Sequence, residues 1–127
     1  MNHQEIAEIL DQAARHARPT TQLAAAHQID LDAAYQIQNL CVGKKLDRGE
    51  YVTGYKLGFT NRARMEEMGV HDLIWGVLTN SMEILNQEEV DAKRWILPRA
   101  EVEIAFRISQ DIEESVGLKD ITNYIDK

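Results

Sequence analysis

The sequence predicts an α+β fold in which helices come first and a strand-rich part follows. Up to about residue 46 the apolar side chains recur at helical spacing, and from Tyr51 onward they alternate as in strands. No linker-like segment separates the two parts, so residues 1–127 are predicted to form one unit, with helices at about 3–46 and strands at about 51–127. The chain is 44% hydrophobic and 28% charged, which is typical of a globular protein.

Two helices are predicted in the first part. Ile6, Leu10 and Ala14 lie on one face of a helix at residues 3–17, and Pro19 ends it because proline disfavours helical angles in the preceding residue. After a connector, Asp30 or Asp32 can cap a second helix that runs to about Leu46 and stops at Arg48-Gly49. Cys41 lies on its apolar face, which predicts a buried, unreactive thiol.

The first predicted strand runs from Tyr51 to Thr60. Its apolar face carries Tyr55, Leu57 and Phe59, and its other face carries Lys56 between Gly54 and Gly58. A short helix capped by Thr60 or Asn61 is predicted to follow and to end at Gly69. Further strands are predicted at Trp75–Leu78, Ser81–Leu85, Trp95–Leu97 and Val102–Ile108, and a helical pattern begins at Leu118.

Two carboxylates stand two residues apart in the last of these strands. Because alternate residues of a strand share a face, Glu101 and Glu103 lie opposite the apolar row, with Cα atoms about 6.6 Å apart. Both can reach one cation, and oxygen ligands of this kind suit Mg²⁺ or Mn²⁺. The alternative is a plain amphipathic strand whose glutamates are solvated. Spacing alone leaves both interpretations open.

Lys56 and Trp75 are the other candidates. The glycines beside Lys56 leave space for a ligand, so its ammonium could hold a substrate carboxylate or stabilise an enolate oxygen. A solvated lysine on a sheet surface is the alternative. Trp75, next to Gly76, could line a pocket or pack in a core.

The charge and composition of the chain limit the kinds of partner that it can bind. The net charge is −7 with no basic cluster, which argues against nucleic acid and anionic membrane surfaces as partners. No apolar run is long enough to span a bilayer, and the first residues lack a secretion signal. Together with the single cysteine, these features predict a cytoplasmic protein.

Five short motifs follow one another along the chain, at residues 34–38 (AYQIQ), 54–60 (GYKLGFT), 68–70 (MGV), 75–78 (WGVL) and 97–106 (LPRAEVEIAF). Their order and spacing resemble one enzyme family. That family is the 2-keto-4-pentenoate hydratases and 4-oxalocrotonate decarboxylases of the fumarylacetoacetate hydrolase superfamily, and the resemblance extends from about residue 5 to the end of the chain. The lysine strand and the Pro-Arg-x-Glu-x-Glu strand are its most specific parts.

The resemblance implies a metal-dependent lyase of aromatic meta-cleavage catabolism that acts on 2-oxo-dienoic acids. It implies Mg²⁺ or Mn²⁺ held by Glu101, Glu103 and a third acidic residue further along, with Lys56 in a catalytic role. It assigns Gly58, Ile74 and Trp75 to the substrate pocket. The implied fold is a mixed, rolled β-sandwich with peripheral helices, assembled into homo-oligomers and possibly associating with a related hydratase or decarboxylase chain.

Two departures from the family pattern matter. Family members continue past Lys127, and their third metal ligand follows there, so the chain is expected to be a fragment, a truncated product or a gene remnant. Ile74 stands where hydratases tend to have an acidic residue, which favours 4-oxalocrotonate-type decarboxylation. A hydratase, an acylpyruvate-type hydrolase, and an inactive fragment or partner subunit remain as alternatives.

Overall fold

The computed structural model describes residues 1–69, 71–113 and 115–126. These residues form an α+β structure, which confirms the coarse fold class predicted from the sequence. Val70 of the motif series, together with Glu114 and Lys127, lies outside the described residues. The helices are α1 (His3–Arg15), α2 (Leu23–His27), α3 (Leu31–Asp47) and α4 (Arg62–Glu67), and the strands are β1 (Val52–Gly58) and β2 (Ile74–Thr79).

Side-chain caps explain where the two long helices begin. The Asn2 side chain accepts a hydrogen bond from the Glu5 backbone N–H, and the Glu5 carboxylate accepts one from the Asn2 backbone, which makes a capping box. Asp30 caps α3 by accepting from the backbone N–H of Ala33 at 2.8 Å. Both predicted helices are confirmed, although α1 ends at Arg15 rather than near residue 17.

The core lies between α1 and α3. Ile6, Ala7 and Ile37 are its fully buried apolar residues. The half-buried Cys41 thiol donates to the carbonyl oxygen of Ala7 at 3.7 Å, and burial raises its pKa. A raised pKa keeps the thiol protonated, as expected of an unreactive cysteine. The apolar residues packed around the core are Leu10, Leu23, Ile29, Leu40 and Cys41.

Strands β1 and β2 pair antiparallel, and side chains of α3 cover the outer edge of β2. In the register of the sheet, Lys56 lies opposite Gly76 and Gly58 opposite Ile74. The Gln38 amide donates to the carbonyl of Trp75 at 3.4 Å and accepts from the N–H of Val77 at 3.2 Å. One glutamine thus satisfies two backbone groups that a third strand would otherwise pair, and fixes the sheet against the helices.

A polar network joins α1, α3 and the ends of both strands. The Arg48 guanidinium donates twice to the buried Asp11 carboxylate, at 2.8 and 2.9 Å. Glu50 lies 3.9 Å from the same guanidinium and accepts from the hydroxyls of Thr79 at 2.7 Å and Ser81 at 2.6 Å. Burial alone would raise the pKa of Glu50, but these hydroxyls and nearby cations outweigh it and lower the pKa.

The lowered pKa of Glu50 predicts a stability difference that depends on pH. A carboxyl whose folded pKa is depressed stabilises the fold above its unfolded pKa of about 4.3, and that contribution is lost as the pH falls through the folded value. Glu50→Gln should therefore lower the free energy of unfolding by about 1 kcal/mol at pH 7 and by much less at pH 3. Urea unfolding of both proteins at the two pH values measures this. An equal difference at both would contradict the account.

Two short strands predicted after β2 are wrong. At Ser81–Leu85 the chain instead makes a 3₁₀ turn over Asn80–Met82, because Asn80 bonds back to the backbone of Tyr51 through both its side chain and its N–H. At Trp95–Leu97 a turn capped by Asp91 leads into Leu97, whose φ of 48° is incompatible with a strand.

The predicted strand Val102–Ile108 is also wrong. Only Ile108 pairs, in an isolated bridge with Ile125, and the rest of the run has no ladder partner among the described residues. Alternating side chains predict a face for a strand, but a strand also needs a neighbour to take its backbone hydrogen bonds. The side chains here are exposed, to 83% at Ile104 and fully at Val102.

The predicted helical pattern after Leu118 appears only as a 3₁₀ helix over Ile121–Tyr124. None of the helices in the described ranges is both long and apolar enough to cross a bilayer.

Candidate functional site

Strand β1 presents Lys56 on a face of the sheet that has little side-chain cover. Its neighbours on that strand face are Gly54 and Gly58, and Gly76 lies directly opposite on β2. A Cβ added at Gly54 would meet nothing within 4 Å. The ammonium of Lys56 therefore stands beside open space, as the glycine pattern around it predicts.

Both glutamates of the Glu101-x-Glu103 pair reach this ammonium. The Nζ of Lys56 lies 2.5 Å from Oε1 of Glu103 and 3.5 Å from Oε2 of Glu101. The hydrogen bond to Glu103 is the main cause of a raised pKa for Lys56, against a smaller opposing effect of desolvation. Residues 47 positions apart in sequence thus meet in one cluster, although the segment carrying the glutamates is not a strand.

The cluster is accessible from solvent. The exposed fractions of the side chains are 47% for Lys56, 63% for Glu101 and 58% for Glu103. Exposed ion pairs contribute little to stability, so the arrangement is poorly explained as a structural brace. The two carboxylates are open to an incoming ion or a small anionic ligand.

The carboxylates of Glu101 and Glu103 converge on the ammonium of Lys56. Carboxylate oxygens are hard donors, so the same two side chains also suit a small divalent cation. Two carboxylates are fewer than an all-protein site needs, but Mg²⁺ commonly keeps several waters and takes one or two carboxylates. Among the described residues, no group of three or more His, Cys, Asp and Glu side chains is placed to hold a metal ion. The metal-ligand role of Glu101 and Glu103 stays a prediction from the sequence.

Gly58 and Ile74 lie side by side on the same face as Lys56. A Cβ built on Gly58 would come within 2.9 Å of Cγ1 of Ile74, so the isoleucine side chain rests against the glycine. Ile74 is therefore an apolar side chain on the same sheet face as Lys56, at the next residue pair on that face. Their predicted role in binding substrate stays a prediction.

Trp75 lies on the opposite face of the sheet from Lys56, because neighbouring residues of a strand point to opposite sides. Its ring stacks on Tyr35 of α3, with centroids 5.1 Å apart, and meets the edge of Tyr55 at 5.9 Å. The Tyr35 hydroxyl also accepts from the backbone N–H of Trp75 at 3.3 Å. In the described residues Trp75 anchors α3 to the sheet, and its predicted role in the substrate pocket stays a prediction.

Tyr35 and Gln38 were given no role by sequence reasoning, yet they position β2 and so the residues opposite Lys56. The available signal was a glutamine and a tyrosine on the otherwise apolar side of a helix. A polar group on such a face needs a hydrogen-bond partner. Here the partner is the backbone at the outer edge of β2.

The chain is similar in sequence to several curated proteins. The chain is 38% identical over 116 residues (91% of its length) to a 4-oxalocrotonate decarboxylase from Pseudomonas sp, of which it covers 45%. It is 28% identical over 126 residues (98%) to a 2-oxo-hept-4-ene-1,7-dioate hydratase from Escherichia coli, covering 47% of that protein. It is 34% identical over 110 residues (85%) to a 2-hydroxypent-2,4-dienoate hydratase from Pseudomonas putida, covering 50%.

These matches are consistent with a partial member of the hydratase and decarboxylase family. This confirms the resemblance inferred from the motif series. No model of a known protein family matches the chain. The chain spans about half the length of the curated relatives it matches.

Proposed function

We propose that this chain supplies the divalent-cation and 2-oxo acid site of a lyase that acts on 2-oxo-dienoic acids of aromatic meta-cleavage catabolism. One observation carries the proposal: the Lys56 ammonium contacts the carboxylates of both Glu101 and Glu103 on an open sheet face. The names of the curated relatives support the substrate class.

In this proposal Glu101 and Glu103 hold Mg²⁺ or Mn²⁺, together with water and the substrate's own oxygens. When bound, the ion supplies Lewis-acid stabilisation for negative charge that develops on the oxygens of a 2-oxo acid. The two carboxylates already converge on a cation, so little rearrangement is needed beyond withdrawal of Lys56.

Lys56 then binds the substrate. A lysine ammonium is protonated at neutral pH, so Lys56 acts as a cation and proton donor rather than as a base. Displaced from Glu103, the ammonium remains on the same face and can pair with a substrate carboxylate.

Decarboxylation of the 4-oxalocrotonate type is the proposed reaction. Ile74 supports it, because an apolar side chain beside the site offers no proton-transfer group for adding water. The 38% identity to a decarboxylase, against 28% and 34% to two hydratases, points the same way. A hydratase is the second candidate, since several relatives bear that name, and product analysis separates CO₂ release from water addition.

Three broader proposals concern the complete fold, the location and assembly of the protein, and the role of this chain alone. The complete fold would be a mixed, rolled β-sandwich of the fumarylacetoacetate hydrolase type, to which β1 and β2 contribute one antiparallel pair of strands. The protein would act in the cytoplasm as a homo-oligomer. It could also associate with a related hydratase or decarboxylase chain. An inactive fragment or partner subunit is the alternative function for these 127 residues, because they match only about half of each relative.

Calorimetric titration of the chain with 2-oxoadipate tests the proposed function. We expect binding in the presence of Mg²⁺ and none after chelation, because the ketone and carboxylate oxygens complete the shell of the ion. Adipate, which lacks the ketone, is the matched control and should bind far more weakly. Equal binding of both acids, or binding of 2-oxoadipate that does not depend on Mg²⁺, would contradict the proposal.

A further inference from the structure

Gly54 lies inside β1, on the same face as Lys56, at a position where the fold itself does not require glycine. Its φ is not positive, since among the described glycines only Gly49 and Gly69 have a positive φ. A Cβ added at Gly54 would meet nothing within 4 Å among the described residues. Glycine inside a strand is unfavourable, because it provides no side chain to pack and loses more conformational entropy on folding. Its presence here therefore needs a reason other than backbone geometry or packing.

The glycine on the other side of Lys56 does have a structural reason. A Cβ added at Gly58 would come within 2.9 Å of Cγ1 and 3.3 Å of Cδ1 of Ile74. The first distance is well below the separation at which two carbon atoms attract, so any side chain at position 58 would displace Ile74. The sheet face is therefore closed by Ile74 on the Gly58 side of Lys56 and open on the Gly54 side.

The open side extends for one residue pair beyond Lys56 on this face. Gly54 is paired with Leu78 of β2, whose side chain is 37% exposed. The register of the sheet shifts between Val52 and Gly54, so the regular face ends there. Alternate residues of a strand are about 6.6 Å apart, which is room for a short carbon chain beside the ammonium. A ligand held at Lys56 thus has space along β1 and an apolar neighbour in Leu78.

We propose that Gly54 determines which 2-oxo acids the site accepts, by leaving room for the carbon chain of an acid whose carboxylate is bound at Lys56. The inference rests on the proposed function and adds a direction to it: the carbon chain runs along β1 from Lys56 towards Gly54 and Leu78. An acid with only a methyl group beyond its ketone, such as pyruvate, does not need this room. A longer acid such as 2-oxoadipate does, so Gly54 selects by chain length.

Unfolding in urea tests the premise without any ligand. Gly54→Ala should raise the urea midpoint, because alanine loses less conformational entropy than glycine and its Cβ meets nothing within 4 Å among the described residues. Gly58→Ala should lower the midpoint, because Ile74 must move to admit the new Cβ. A midpoint for Gly54→Ala below that of the wild type would show that the fold itself needs this glycine, and would overturn the inference.

Calorimetric titration of Gly54→Val with 2-oxoadipate and with pyruvate, both at saturating Mg²⁺, tests the selection by chain length. The added side chain should weaken binding of 2-oxoadipate about tenfold, the usual effect of a surplus methyl or methylene group in a binding site, and should leave pyruvate close to its wild-type affinity. Gly43→Val is the control, because it makes the same change in α3 at a glycine whose added Cβ also meets nothing within 4 Å in the described chain. It should leave the ratio of the two affinities unchanged.

The results of these titrations distinguish failure of the inference from failure of the proposed function. A wild-type chain that binds neither acid in the presence of Mg²⁺ would contradict the proposed function, and the inference with it. Wild-type binding of both acids, with the same ratio of affinities in Gly54→Val, would overturn the inference alone. An equal loss of both affinities in Gly54→Val would also overturn it, because the valine would then disturb the site as a whole rather than the room for the carbon chain.

Discussion

Replacing Asp11 by alanine is expected to lower the free energy of unfolding by about 2–3 kcal/mol. The Asp11 side chain is only 5% exposed, and both of its oxygens accept from the guanidinium of Arg48. Removing it leaves Arg48 without its main partner at the contact between α1 and α3. Because that guanidinium is itself 33% exposed, water recovers part of the loss, which places the effect below that of a fully buried pair.

The neighbouring ion pair on the same two helices is the matched control. Glu8 of α1 pairs with Lys44 of α3, and the Glu8 side chain is 51% exposed. Glu8→Ala should therefore change stability little, since an exposed pair competes with solvent and salt. Urea unfolding at pH 7 measures both variants. Equal effects of Asp11→Ala and Glu8→Ala would show that burial does not decide the strength of these pairs.

Replacing Lys56 by methionine is expected to have opposite effects on two ligands. Without the ammonium, the carboxylates of Glu101 and Glu103 lose the cation that they now share and repel each other. Binding of Mg²⁺ alone should therefore become severalfold tighter. Binding of a 2-oxo acid to the Mg²⁺-loaded chain should become severalfold weaker, because its carboxylate loses a charged partner.

Calorimetric titrations with Mg²⁺, and then with 2-oxoadipate at saturating Mg²⁺, measure the two affinities. Lys93→Met is the control, since it removes the same charge from an exposed turn away from the cluster. It should leave both affinities close to those of the wild type. If Lys56→Met moves both affinities in the same direction, the role assigned to Lys56 is wrong.

The helices and the lysine strand could be predicted from sequence because their signals are local. The Asp30 cap, the apolar face around Ile37 and the alternation around Lys56 each act within a few residues. The run Val102–Ile108 has an equally clear local pattern and yet forms no strand. Its strand would depend on a partner that supplies backbone hydrogen bonds, and no local pattern contains that information.

In the candidate site, too, local features could be predicted from the sequence and long-range contacts could not. The spacing of Glu101 and Glu103 predicts that both can reach one cation, and it does so from two residues alone. That the nearby positive charge is Lys56 could be anticipated only from the family resemblance, because the contact spans 47 positions. The support that Tyr35 and Gln38 give to β2 was missed, since it depends on how α3 lies against the sheet.

A Mn²⁺ titration followed by electron paramagnetic resonance tests the central claim most directly, because free Mn²⁺ is observed as a signal that disappears on binding. The variant Glu101→Gln/Glu103→Gln is compared with the wild type and with Glu89→Gln/Glu113→Gln, which removes two other exposed carboxylates and has the same net charge. We expect the wild type and the control variant to bind Mn²⁺ with a Kd of about 1 mM, and the Glu101→Gln/Glu103→Gln variant to lose this binding. Equal Mn²⁺ binding by all three proteins would show that Glu101 and Glu103 are not the metal ligands.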